Sequence, residues 1–367
     1  MSVGTPAAGA SAGTAVDVRI LTRAELALYG VRTPAPVRRP EGAGPSDDGH
    51  VLVDGANAAL PINPESPYAV RDGRVWLGDA DTGLTLTPVR RPRFYDLATA
   101  DGVPYEHIAR LHGADVLATT VVQTCVRYAE PERCRFCTIE ESLRSGATIA
   151  VKRPEQLAEV AEAAVRLDGV RQMVMTTGTT AGPDRGAKHL ARCVRAVLAA
   201  VPGLPIQVQC EPPGDLAWIR ELRDAGATSI GIHVESLDEE VRRSWMPGKS
   251  RVPIAEYEAA WDEAVRVFGR NRVSTYLLVG LGEDPDELVE GARRLIERGV
   301  YPFVVPFRPM RGTLAARDGV TGPDPELLRR VTEQVALRLR AAGMRGADQR
   351  AGCAACGACG VLSTAGG

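Results

Sequence analysis

The chain has 367 residues, of which 44% are hydrophobic and 25% charged, and its formal net charge is −2. These values are ordinary for a globular protein and give no reason to expect a nucleic-acid or membrane-surface partner. No apolar run approaches the roughly 20 residues of a membrane span. The small, polar N-terminus lacks the features of a secretory signal, so we expect a cytoplasmic protein whose eight cysteines stay reduced.

The first 115 residues have a different pattern from the rest. Residues 1–48 predict a disordered tail, a short helix at Thr22–Leu28 and a linker rich in Pro, Gly and Arg. Residues 49–115 predict a small β-rich element, because short strand-like runs alternate with Asp-Gly and Thr-Gly turns. The predicted strands are His50–Val53, Tyr68–Val70, Arg74–Leu77 and Leu84–Val89.

Alternating strands and helices follow over residues 116–310, and residues 311–367 predict a helix (Pro325–Ala342) and a cysteine-bearing tail. The predicted strands are Leu117–Thr124, Gln172–Thr177, Ile206–Cys210, Ser229–Glu235, Arg272–Val279 and Phe303–Phe307. The predicted helices are Pro154–Leu167, Arg185–Ala200, Leu216–Ala225, Ile254–Phe268 and Asp284–Arg298. This alternation predicts a parallel sheet, either a partial barrel or a doubly wound sheet.

The polarity of the strands favours the barrel. In the third strand, Ile206 and Val208 alternate with Gln207, Gln209 and Glu211. A parallel strand that helices cover on both faces is apolar on both faces. A polar face instead suits a lumen that holds a ligand, so we predict an α/β fold with a partial (β/α)6 TIM-type barrel.

Three cysteines, Cys125, Cys134 and Cys137, follow the first predicted barrel strand in a Cys-x8-Cys-x2-Cys pattern, with Phe136 before the last. Active sites of barrels lie at the carboxyl ends of the strands. Three thiolates can hold three irons of a four-iron cluster and leave the fourth iron open. The alternative is a structural zinc site completed by a residue such as His107 or His112. We favour the cluster.

At these residues the chain resembles the radical SAM superfamily, over roughly Val116–Phe307. The resemblance implies a [4Fe-4S] cluster on the three cysteines, S-adenosylmethionine on the open iron and a 5′-deoxyadenosyl radical that abstracts hydrogen from a substrate. It also implies a ferredoxin or flavodoxin as electron donor. The commonest family spacing is Cys-x3-Cys-x2-Cys, so the eight-residue gap departs from the usual pattern.

The resemblance further implies which residues meet the methionyl part of the cofactor. Thr177, Gly178 and Thr179 end the second strand, where the family receives the methionyl amino group. The acidic residue usual in that motif is absent here. His233 matches the polar position of the fourth strand that binds the methionyl carboxylate, and its alternative role is that of an ordinary lumen histidine.

The ribose and adenine contacts are implied in the same way. Glu235 matches the acidic position of the fourth strand, and a carboxylate can accept both hydrogen bonds of a ribose diol. Gly280 and Gly282 of the fifth strand match the stretch that runs along the adenine, and Phe136 matches the usual aromatic residue beside the last cysteine.

Substrate contacts are predicted at polar residues of the third strand, namely Gln207, Gln209 or Glu211. We take Glu211, at the strand end, as the candidate catalytic residue, with simple solvation of the strand end as the alternative. Lys249 and Arg251, which follow a Met-Pro-Gly turn, are interpreted as solvated surface charges, with contact to a carboxylate as the alternative.

Cys353, Cys356 and Cys359 form a second set, Cys-x2-Cys-x2-Cys, in a tail rich in Gly and Ala. Glycines let the backbone wrap a cluster closely, and two-residue gaps suit ferredoxin-type ligation. No further Cys or His follows, so an auxiliary iron–sulfur cluster needs a remote ligand or has an open iron. A zinc knot and a redox-active thiol group are the alternatives.

Together these observations predict a radical SAM enzyme that acts on a small organic substrate. The whole-chain pattern, including the terminal AGCAACGACG, resembles a bacterial radical SAM family encoded beside a nitrilase, which implies a context of nitrile or cyanide metabolism. The alternative from another class is a non-catalytic iron–sulfur or zinc protein that carries electrons. A polar lumen argues against it, since a carrier needs no cavity.

Overall fold

The computed structural model describes residues 12–33 and 50–362, so the predicted disordered tail and most of the predicted linker lie outside the described residues. The strands form a five-stranded and a seven-stranded sheet. They are β1 His50–Val53, β2 Ala56–Ala59, β3 Tyr68–Arg71, β4 Arg74–Leu77, β5 Ala80–Pro88, β6 Arg110–His112, β7 Val116–Thr120, β8 Gln172–Thr176, β9 Ile206–Gln209, β10 Ser229–Gly231, β11 Val273–Val279 and β12 Val300–Pro306. The helices are α1 Ala12–Tyr29, α2 Tyr105–Ile108, α3 Glu141–Arg144, α4 Pro154–Asp168, α5 Ala187–Ala200, α6 Ala217–Asp224, α7 Glu239–Trp245, α8 Ile254–Phe268, α9 Pro285–Arg298, α10 Leu314–Arg317, α11 Pro325–Ala341 and α12 Cys353–Cys356.

The larger sheet confirms the predicted fold class. Its strands lie in chain order from β6 to β12, β7 to β12 are parallel, and the sheet curls into a partial barrel with helices outside. The structure adds β6, which pairs antiparallel with β7. Sequence periodicity missed β6 because its three residues hold only one apolar side chain, Leu111, between Arg110 and His112.

Helix boundaries follow the start and stop signals in the sequence. In α9, the Asp284 carboxylate accepts hydrogen bonds from the backbone N–H groups of Asp286 and Glu287, and Pro285 opens the first turn. The helix ends at Gly299, whose φ of +92° lies in the left-handed region. These signals position the helices that cover the outer face of the barrel.

The N-terminal sheet has the order β2-β1-β5-β4-β3, and all of its pairs are antiparallel. The predicted short helix is part of the longer α1. The sequence analysis missed β2, whose residues are Ala-Asn-Ala-Ala, because alanine and asparagine have little strand preference. This sheet contacts the C-terminal tail, since Ala59 N–H donates to Ala358 O at 2.8 Å.

The C-terminal tail crosses the amino ends of the barrel strands. Gly352 N–H donates to Gln172 Oε1 at 2.9 Å, and Ser229 Oγ donates to the Ala351 carbonyl at 3.1 Å. Because Gln172 and Ser229 are the first residues of β8 and β10, the tail closes the amino-terminal opening of the lumen. Within the described part of the chain, none of the helices combines the length and apolarity needed to cross a membrane.

Candidate active site

The lumen of the barrel is a cavity of about 470 Å³, a size typical of sites for small molecules. All six parallel strands, or the residues directly after them, contribute to its wall. The lining residues on two of the strands are spaced by two, as one face of a strand requires: Val174 and Thr176, Tyr276 and Leu278. Of the polar third-strand residues that predicted a lumen, Gln209 lines this cavity, whereas Gln207 and Glu211 do not.

The first cysteine set lies at the carboxyl ends of the strands. Cys125 follows β7, and the next residue is held against the end of β8, because Val126 N–H donates to Thr179 O at 2.9 Å. Gly178 N–H donates to Val122 O at 2.8 Å, and a Cβ atom on Gly178 would come within 2.0 Å of Thr124 O. Only glycine permits this close approach of strand and loop.

The loop thiols lie near one another. Burial raises the pKa of Cys137 to about 11, and the Cys125 thiol adds to this effect. Burial also raises the pKa of Cys134, with Cys137 as the next cause. Within residues 12–33 and 50–362, no three His, Cys, Asp or Glu side chains converge on one metal ion. Thiolates of a cluster each bind a different iron, so a cluster needs no such convergence.

An ion pair fixes the loop to the barrel. Arg127 donates from Nε and Nη2 to the two carboxylate oxygens of Glu211 at 3.0 and 2.9 Å, and from Nη1 to the Gly248 carbonyl. Both side chains of the pair are largely buried, and Glu211 does not belong to the cavity lining. The predicted substrate contact at Glu211 is therefore replaced by a bidentate contact to the cysteine loop.

His233 presents one hydrogen-bond donor to the lumen. Its Nδ1 accepts a hydrogen bond from Tyr276 N–H at 3.2 Å, so the ring proton lies on Nε2. Burial lowers the pKa of His233 to about 3, and the ring stays neutral. Nε2 is buried and has no partner among the described residues.

Glu235 forms a buried ion pair with Lys249, whose Nζ lies 2.5 Å from Oε2. Burial raises the pKa of Glu235, and the Lys249 ammonium opposes that shift. The interpretation of Lys249 as a solvated charge is wrong, because the turn after α7 places this largely buried side chain against Glu235, which lines the lumen. Arg251 is exposed and pairs with Glu132.

The predicted cofactor residues divide into two groups. Phe136, His233 and Glu235 line the cavity. The others, at the ends of β8 and β11, do not belong to its lining: Thr177, Gly178, Thr179, Gly280 and Gly282.

The second cysteine set reaches the same lumen from the opposite end. Cys353 and Cys359 line the cavity, and Gln209 Nε2 donates to Cys353 Sγ at 3.2 Å. The Tyr276 hydroxyl also bonds to Cys353. Cys356 packs on the amino-terminal part of β7 and β8, and the Asn57 amide donates to its carbonyl at 3.4 Å.

Gln207 lies under the C-terminal tail, a contact that the sequence did not indicate. This residue is fully buried, and its amide nitrogen lies within hydrogen-bond distance of Ser274 Oγ and Gln349 Oε1. It does not belong to the cavity lining, so the predicted substrate contact is replaced by contacts under the tail. Sequence reasoning also missed Arg127, Lys152 and Tyr276. Of these, only Tyr276 had a signal, because it alternates with outward-facing residues along β11.

Comparison with known proteins gives the following similarities. Residues 130–296 match the model of the Radical SAM superfamily. A bacteriochlorophyllide c C-7(1)-hydroxylase from Chlorobaculum limnaeum is 23% identical over 82% of this chain and 80% of its own length. A lipoyl synthase from Halorhodospira halophila is 31% identical over 53% of this chain, and the match spans only 58% of that enzyme. The crystal structure of methylornithine synthase is 19% identical, with a TM-score of 0.49 over 68% of this chain and 69% of that one.

Proposed function

We propose, from the premise that this chain is an enzyme of the radical SAM superfamily, that its lumen holds a small organic substrate between two iron–sulfur sites. The first is a [4Fe-4S] cluster on Cys125, Cys134 and Cys137, and the second is an auxiliary site on the tail cysteines. One observation carries the proposal: Phe136 beside the first set and Cys353 and Cys359 of the second line the same cavity.

The loop cysteines suit the first cluster in donor chemistry and place. When bound and reduced by a ferredoxin or flavodoxin, the cluster supplies the electron that cleaves S-adenosylmethionine to the 5′-deoxyadenosyl radical. Residues of the chain bind and orient that cofactor. Glu235 accepts hydrogen bonds from the ribose, and the Nε2–H of His233 donates to the methionyl carboxylate.

Backbone at Thr177, Gly178 and Thr179 is proposed to meet the methionyl amino group, and Gly280 and Gly282 to border the adenine, although these five lie outside the cavity lining. We assign Glu211 a positioning role, because both of its oxygens hold Arg127 of the cysteine loop. Gln209 remains a substrate contact, since it lines the cavity and also bonds to Cys353.

For the auxiliary site we favour sulfur donation or substrate binding over electron relay. The thiols of Cys353 and Cys359 face the lumen, whereas the N-terminal sheet covers the tail from the other side through Asn57 and Ala59. A relay to an outside partner needs an accessible face. The fourth ligand stays open. The nitrile or cyanide context stays a prediction.

The test is anaerobic reconstitution of the wild type and two triple variants. Replacing Cys125, Cys134 and Cys137 by Ala should remove about four irons and all 5′-deoxyadenosine formed with dithionite. Replacing Cys353, Cys356 and Cys359 by Ala should remove the remaining iron and product formation while 5′-deoxyadenosine is still made. Continued 5′-deoxyadenosine formation by the loop variant would refute the proposal. A wild-type spectrum that S-adenosylmethionine leaves unchanged, with no 5′-deoxyadenosine, would instead indicate an electron carrier.

A further inference from the structure

The chain uses lysine very sparingly. Lys152, Lys188 and Lys249 are the only lysines among its 44 basic Lys and Arg residues. Lys188 is exposed, whereas Lys152 and Lys249 lie at the lumen. Arginine is always charged and forms flat, forked contacts, whereas lysine is a compact point charge whose pKa responds to burial. Two of the three lysines therefore lie where that difference matters.

Lys152 is a cation without an acidic partner. Its side chain is 1% exposed and lines the cavity. Nζ donates to two neutral oxygens, Gln123 Oε1 at 2.9 Å and the Ile149 carbonyl at 3.0 Å. An ammonium group has three N–H donors, so one donor remains for a ligand. Burial alone, with no opposing carboxylate, lowers the pKa of Lys152 to about 7.

The surrounding wall carries more positive than negative groups. Arg110 and Arg308 line the same cavity as Lys152, whereas burial lowers the pKa of His107 and keeps its ring uncharged, with Arg110 and Lys152 adding to that shift. The acidic lining residues already have cationic neighbours. Glu235 pairs with Lys249 at 2.5 Å, and Glu106 lies 3.9 Å from Arg110. Lys152 and Arg308, which donates to the Ala59 carbonyl, are left as the buried cations that a ligand can balance.

We infer that Lys152 binds a carboxylate of the substrate, so that the enzyme acts on a small carboxylic acid held in the lumen. The inference rests on the proposed function and names the substrate class of the same site. One free N–H of a single ammonium matches a monoanion such as a carboxylate, because Arg110 is already engaged with the Ala147 carbonyl and with Glu106. A phosphate group would need additional donors.

The test is acetylation of the reconstituted enzyme by acetic anhydride, with mass spectrometry of the three lysine peptides. The reaction is run with matched pairs of probes: acetate and acetamide, propionate and propionamide, benzoate and benzamide. We expect at least one acid to slow the labelling of Lys152 severalfold, its amide to have no such effect, and exposed Lys188 to show no protection. Equal protection by acid and amide, or no protection by any of the acids, would overturn the inference.

Variants test the charge itself. In calorimetric titration with the protecting acid, Lys152→Met should abolish binding, whereas Lys152→Arg should retain it in part and Lys188→Met should bind like the wild type. Binding retained in Lys152→Met would contradict the assignment. If Lys152→Met fails to fold, binding by Lys152→Arg and the labelling of the wild type still test whether Lys152 binds the carboxylate. If the wild type forms no 5′-deoxyadenosine, the proposed function is refuted. The inference about Lys152 is then still testable, because labelling of the lysine and binding of the acid do not depend on that reaction.

Discussion

The two cysteine segments lie at opposite ends of one lumen and are held there by different kinds of interaction. Ion pairs hold the loop with Cys125, Cys134 and Cys137, and Arg127–Glu211 is its largely buried anchor. Neutral amides hold the tail: Gln207 and Gln209 bond to Gln349 and Cys353, and Asn57 bonds to Cys356.

The difference teaches where charge can be tolerated. The carboxyl ends of the strands bury several charged groups in ion pairs. Breaking one of these pairs leaves an unpaired buried charge, which lowers the free energy of unfolding. The amino ends bury amides, whose hydrogen bonds have smaller individual effects. The two ends should therefore respond differently to substitution and to pH.

The largest expected effect comes from breaking the loop anchor. Arg127→Met leaves Glu211 as an unpaired, largely buried carboxylate, and we expect a loss of about 3 kcal/mol in the free energy of unfolding. Iron in the loop should fall while iron in the tail is retained. Urea unfolding and iron analysis measure both effects. Arg251→Gln is the matched control, because it breaks the more exposed pair with Glu132 and should cost less than about 1 kcal/mol. Equal losses in the two variants would remove the distinction between buried and exposed anchors.

An intermediate effect should appear as a pH dependence at the carboxyl ends. Burial raises the pKa of Glu283 from 4.5 to about 7, and Oε2 has no partner among the described residues. Between these values the unfolded chain is ionised while the folded one keeps its proton, so stability falls as the pH rises through about 7. Glu283→Gln should therefore stabilise the protein at pH 8 by about 2 kcal/mol and have little effect at pH 4.5. Thermal unfolding measures this difference. Exposed Glu287→Gln is the control, and a gain for Glu283→Gln that does not change with pH would contradict the explanation.

The smallest expected effect lies at the tail. Gly352 has a φ of +97°, and a Cβ atom there would lie 2.0 Å from the Gln207 side chain. Gly352→Ala should cost about 1 to 2 kcal/mol more than Gly343→Ala, which also has a positive φ but meets no atom within 4 Å. We expect the tail to lose iron while 5′-deoxyadenosine formation continues. Unchanged iron content would show that the tail packs on the barrel without the close approach of Gly352 to Gln207.

Much of the fold could be predicted because local signals and the barrel pattern agree. The helix Ile254–Phe268 was predicted with its observed bounds. Helix α9 begins at Pro285, one residue after its predicted start, because Asp284 is the residue that caps it. The sequence analysis missed β6 and α7, which are short and depend on neighbouring elements. The predicted domain boundaries stay predictions.

The site was predictable only in part. Phe136, His233 and Glu235 line the cavity, and their contacts with a cofactor stay predictions. Lys249 was interpreted wrongly, since it lies on a turn whose direction has no periodicity. The role of Glu211 stays a prediction, and its ion pair with Arg127, which is distant in sequence, gave no signal in the pattern. Lys152 gave no signal in its local pattern, and only its burial without an acidic partner draws attention to it.

The sequence by itself determined the order of the barrel strands, because periodicity is a local property of a chain, and the cluster role that it predicted for the cysteines stays a proposal. Only the tertiary structure decided that the tail returns to the amino ends of the strands, so that Phe136 of the cysteine loop and Cys353 and Cys359 of the tail line one cavity. It also decided which charges have partners. Packing brings together side chains that lie far apart in the sequence. It also excludes water from them, so that a buried charge without a partner becomes energetically costly.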